Sequence, residues 1–141
     1  MTRPLAAALS LAAALLSAVA APAPAAAQSA DPSRAASLDA AFKRGAANPA
    51  YPRTLAAEVR CAAAWPGLSY IYEETGLRPP SDLEPEDFWY QEKRWTEVFA
   101  AKDEAARKAL AEARQNDIGA MIHNGKWEDL AQLVGACGFL K

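Results

Sequence analysis

The chain has one histidine, two cysteines and two methionines in 141 residues, and this scarcity excludes several chemistries. A lone His123 leaves no second imidazole for a histidine-based metal site or bis-histidine haem. Covalent haem needs Cys-x-x-Cys-His, whereas Cys61 is followed by Ala62, Ala63 and Ala64, and Cys137 has no cysteine near it. Met121 is the one methionine besides Met1 and lies two residues from His123, on a different side of a helix. Ser69 and Ser81, the serines away from the N-terminal stretch, lack a nucleophile-elbow setting. No Asp-x-Asp-x-Asp-Gly loop is present for calcium. No catalytic residue, metal or cofactor is expected.

Charge is scarce at the start. From Leu5 to Ala21 there is none, and Arg3 is the only basic residue before Arg34. A short basic region, an apolar Leu/Ala run and small residues before a polar one form a secretory signal. Ala25-Ala26-Ala27 before Gln28 is the expected cleavage site, and Ala18-Val19-Ala20 the second choice. The uncharged run of 17 residues is short for a span, which needs about 20. The reading is therefore a signal peptide over 1–27 and a mature domain over 28–141, periplasmic or secreted from a bacterium. No Cys lies near the cut for lipid attachment, and no Arg-Arg pair directs folded export.

β-Branched residues are few. After residue 27 there are three Val, three Ile and three Thr, and Ala, Leu, Glu, Arg and Lys fill most other positions. Strands favour the first group and helices the second, so the class is all-α. Removing Arg3 leaves 14 bases against 17 acids, an acidic surface that argues against nucleic acid and anionic lipid as partners.

Periodicity places about five helices in one small bundle. Asp31-Pro32 is a cap followed by proline at the first helical position, and Leu38 and Phe42 mark a first stripe ending at Gly45. A second helix from near Pro52 carries Leu55, Val59, Ala62 and Trp65. It is expected to be interrupted at Pro66, then to resume through Leu68, Ile71 and Tyr72 to Gly76. Ser81-x-x-Glu84 reads as a capping box for a third helix whose buried face holds Phe88, Trp95, Val98 and Phe99. Asp103 caps a fourth reaching His123, with Leu110, Ala113, Ile118, Met121 and Ile122 as its stripe. Asn124-Gly125 turns into a fifth, where Trp127, Leu130, Ala131, Val134 and Cys137 share one face.

Cys61 thus lies at the edge of one buried stripe and Cys137 on another. An even pair in a small exported domain is most simply a disulfide, and Cys61–Cys137 is expected.

One segment stands out. Between Glu73 and Glu92 lie seven acids (Glu73, Glu74, Asp82, Glu84, Glu86, Asp87 and Glu92) against one base, Arg78. Phe88-Trp89-Tyr90 follows. Three successive helical residues span about 200° of the circumference, so Trp89 or Tyr90 must be at least partly outside if Phe88 is inside. Trp89, Tyr90, Glu73, Glu74, Asp82 and Glu84 form the candidate interaction surface, for a protein or glycan partner. The expected function is non-catalytic binding. A small cell-wall glycan hydrolase using Glu73 or Glu74 paired with Asp82 or Glu84 is one alternative. A holdase-type stress chaperone that exposes an apolar patch is another.

Overall fold

The computed structural model describes residues 31–140, so the expected signal segment 1–27 lies outside the described residues. Within them there are helices and no strand, joined by the Cys61–Cys137 disulfide, whose Cα atoms are 5.7 Å apart.

The first helix, α1, covers Pro32–Ala47. Asp31 caps it by accepting from the Ser33 amide at 3.0 Å, and Leu38 and Phe42 are buried as their spacing requires. Gly45 does not end it. The residue lies inside the helix, where an added Cβ would sit 2.0 Å from the Gln132 carbonyl oxygen and 2.8 Å from the Ala136 nitrogen. Gly135, on the facing helix, would likewise meet the Phe42 oxygen at 2.1 Å. Gly45 is thus a glycine of close approach, one of two that let the backbones touch.

Helix α2, Leu55–Thr75, starts after Pro52, with the Thr54 hydroxyl capping Ala57 at 3.2 Å. The expected interruption at Pro66 does not occur, since the helix runs through it. An interior proline costs about 3 kcal/mol, and tertiary burial offsets it here. Cys61 through Trp65, Gly67 and Leu68 are all buried, making α2 the central rod. It packs against α3, α4, a π-helical stretch and α6, whose ranges follow. Leu55, expected in its stripe, is half exposed because it is the first residue of the helix, ahead of that packing. Gly76 ends α2 at φ 65°, as anticipated.

Helix α3 covers Pro85–Ala100. Glu84 precedes it without any side-chain cap bond, so the Ser81–Glu84 capping box is not formed. Ser81 bonds elsewhere, to Asp39. Phe88, Trp95 and Phe99 are buried, while Val98 faces out. After Asp103, whose carboxylate caps Ala106 at 2.8 Å, helix α4 (Glu104–Glu112) continues through a π-helical stretch, Ala113–Ile118, into α5 (Gly119–His123). These form the single rod expected from Asp103 to His123, with a widening that periodicity did not show. The Gly119 amide bonds back to the Arg114 oxygen, the five-residue step of a π turn. The widened stretch sets Ile118 against Gly67 of α2, where a Cβ would lie 2.4 Å from the Ile118 methyl. Met121 and Ile122 are only half buried. A turn at Asn124-Gly125 leads to α6, Trp127–Cys137, which buries Leu130, Ala131, Val134 and Cys137.

An aromatic chain joins the helices at the core. Trp65 lies 6.4 Å from Phe42, 5.1 Å from Phe88 and 5.9 Å from Phe139, and Phe88 lies 5.5 Å from Tyr72. No described helix is long and apolar enough to cross a membrane.

Candidate functional site

The three successive aromatic residues at the start of α3 divide as helical geometry demands. Phe88 is fully buried. Trp89 is half-buried, edge-on to Phe88 at 5.2 Å. Tyr90 is 52% exposed. Its ring is braced by Arg94 one turn on, with the guanidinium carbon 5.8 Å from the ring centre and Nη1 donating to the hydroxyl at 3.4 Å. Glu86 and Asp87, exposed four and three residues earlier, share this outward stripe. The result is an aromatic surface held in place between acids and a base.

The four acids of the candidate surface are all exposed, Glu73 and Glu74 at the end of α2 and Asp82 and Glu84 in the connection to α3. None lines either of the two grooves described below. Asp82 pairs with Lys43 of α1 at 3.1 Å. Lys43 also meets Asp39 at 3.0 Å and donates to the Ser81 hydroxyl at 3.0 Å. Asp39 in turn accepts from the Ser81 amide at 3.0 Å and its hydroxyl at 2.9 Å. Partial burial would raise the Asp39 pKa, but the donors on Lys43 and Ser81 outweigh it and hold the carboxyl below its usual value of 3.8. Hydrogen bonds to Asp39 and Asp82 raise Lys43 in the same way. This knot ties the α2–α3 connection to α1. Sequence reasoning missed it because its partners are 42 residues apart and local spacing carries no sign of the contact.

Next to the knot, Asp39, Arg78, Pro79, Pro80, Ser81 and Leu83 line a shallow groove of about 480 Å³. A second, of about 510 Å³, lies between the π-helical stretch and α6, lined by Arg60, Asp117, Met121, Lys126 and Asp129 among others. Arg60 and Asp117 pair there at 2.9 Å. No cluster of three metal-ligating side chains occurs among the described residues, and His123 stands exposed at the end of α5.

Two features of the interior had no signal in the sequence. Gln91, nearly buried, bonds to the backbone of Leu140. Trp65 Nε1, Ser69 Oγ, Tyr72 OH and Trp95 Nε1 are buried on α2 and α3 with no protein partner. Burial, then the nearby charge of Asp39, pushes the Tyr72 phenol up and keeps it neutral.

No protein-family model, curated protein or solved structure matches this chain.

Proposed function

We propose that the chain is an exported, non-catalytic binding protein whose contact surface is the outward stripe of α3 centred on Tyr90. The observation that carries this reading is the division of Phe88, Trp89 and Tyr90. One ring anchors the helix, one is half-buried, and the third stands braced in solvent by Arg94. A tyrosine held this way offers apolar area and a hydroxyl at little entropic cost, which suits a protein or glycan partner. The disulfide is consistent with an oxidising compartment, periplasmic or extracellular.

The two other readings have less support. A glycan hydrolase needs two carboxylates facing one cleft, and the four acids considered are exposed and outside both grooves. A holdase needs a continuous apolar patch. Of the exposed large apolar residues, Tyr51 lies against Gly138, next to Phe139, while Tyr70 is on α2 and Tyr90 and Val98 are on α3, and no observation joins them into one patch.

The test compares the oxidised protein with Tyr90→Ala as baits in an extract of the native compartment, scored by quantitative mass spectrometry. Helix content and melting temperature should match the parent, because an exposed side chain changes stability by less than about 0.5 kcal/mol. One or more specific partners should fall about tenfold in recovery, the effect of losing roughly 1.4 kcal/mol of contact. Equal recovery by both baits refutes the Tyr90 surface.

A further inference from the structure

The groove of about 510 Å³ runs along one side of α6, with Arg60 of α2, Asp117 of the π-helical stretch and Met121 of α5 across from it. On α6 it is lined by a stripe next to the buried one. Asp129, Leu133 and Ala136 stand at i, i+4 and i+7, with Gln132 beside Leu133. Met121 and Leu133, both half-buried, supply apolar surface between two polar ends. Its volume lies in the range of small-ligand sites.

The disulfide fixes one end. Arg60 precedes Cys61, whose Cα is 5.7 Å from that of Cys137, so Arg60 stands at the level of Ala136. Its Nε donates to the Asp117 carboxylate at 2.9 Å, and among the described residues its guanidinium has no other partner. Asp117 comes from the π-helical stretch, a distortion common where a site is built. The pair holds the guanidinium in place and leaves its terminal nitrogens to a carboxylate, which suits their fork. At the other end, Asp129 pairs with no cation among the described residues, although Lys126 is one turn away. The Gln132 side chain likewise has no partner among them.

At 1.5 Å per residue, Asp129 and Ala136 are about 10 Å apart along α6. An extended chain covers about 3.3–3.6 Å per residue, so about three residues span the same distance. An acid at one end, an arginine fork at the other and apolar surface between them complement a peptide with both termini free. Gln132 adds an amide that can serve a peptide N–H or C=O. Lys126, about 15 Å from the level of Ala136, lies beyond the reach of such a peptide.

We infer that this groove binds a short zwitterionic peptide with an apolar central side chain, its ammonium on Asp129 and its carboxylate on Arg60. Asp117 is a positioning residue that orients Arg60. The inference goes beyond the Tyr90 surface on α3 and shares no residue with it.

The test titrates the full, oxidised chain with Ala-Leu-Ala by isothermal calorimetry. Saturable binding with a Kd below about 1 mM is expected. Acetylating the N-terminus of the peptide, or amidating its C-terminus, should each weaken binding about tenfold. Asp129→Asn should remove the penalty for acetylation alone, and Arg60→Gln the penalty for amidation alone, the coupling expected of direct contacts. Both side chains are exposed, so the variants should keep parental helix content. Tyr90→Ala should bind the tripeptide unchanged, so failure here is distinguishable from failure of the surface reading. No saturable binding to the parent, equal binding of the free, acetylated and amidated peptides, or penalties that persist in both variants overturns the inference.

Discussion

Asp39 is where the fold depends most visibly on a single ionisation. Its carboxylate takes donors from Ser81 and Lys43, with Asp82 on the far side of Lys43 and the neutral Tyr72 phenol nearby. A carboxyl whose folded pKa lies below its unfolded value stabilises the fold at higher pH. That contribution is complete above the ordinary value of 3.8 and is lost as pH falls through the lower folded value. The α2–α3 connection should therefore loosen in acid before the helices do. The check is to follow the Ser81 amide by NMR between neutral and acid pH. Its protection should fall below the ordinary aspartate range in the parent. In Asp39→Asn it should be lower at neutral pH and nearly independent of pH. Little of this was legible beforehand. Ser81 looked like a capping residue because Glu84 follows at the right spacing, and the competing partner on α1 is distant in sequence. The aromatic residues were legible, since a helix cannot bury three neighbours on one face.

At the scale of the element, the crossing of α1 and α6 shows how a residue type can be recognised and its purpose misread. A glycine after an apolar stripe reads as a helix stop. Gly45 instead removes a Cβ that would overlap the backbone of α6, as Gly135 does in return. Sequence cannot tell a glycine needed for a positive φ from one needed for close approach, because both leave the same gap in the pattern. Gly45→Ala and Gly135→Ala should each cost about 3 kcal/mol or more in urea unfolding, since the obstructing atoms are backbone and cannot swing aside. Ala46→Ser, on the exposed side of α1, should change stability by less than about 0.5 kcal/mol. Pro66 makes the complementary point. Its local rule predicts a break, but α2 is the rod on which the other helices pack, and burial along its length outweighs one missing hydrogen bond. The π-helical stretch was illegible for a related reason. It serves the fit of Ile118 against Gly67, a contact between residues 51 positions apart.

For the whole molecule, the coarse architecture was open to reading because it follows from composition and periodicity. The shortage of β-branched residues gave the class, and the stripes gave the rods. Cys61 and Cys137 were paired because an even pair in a small exported domain is most simply a disulfide, and their places beside the stripes of Trp65 and of Leu130 and Val134 supported it. The bridge closes a separation of 76 residues, worth about 4.5 kcal/mol by the chain-entropy account, a large share of what holds so small a domain. What the proposed Tyr90 surface would bind was not legible, because an exposed tyrosine among charges suits many surfaces and the spacing of Tyr90 and Arg94 specifies none. Intact mass spectrometry of the protein from its native source, without reductant, is the most direct test that this is an exported, stapled domain. The account predicts a chain beginning at Gln28 or at a nearby small-residue cut, lighter than its sequence mass by the two thiol hydrogens. A chain retaining Met1 and two free thiols would contradict it.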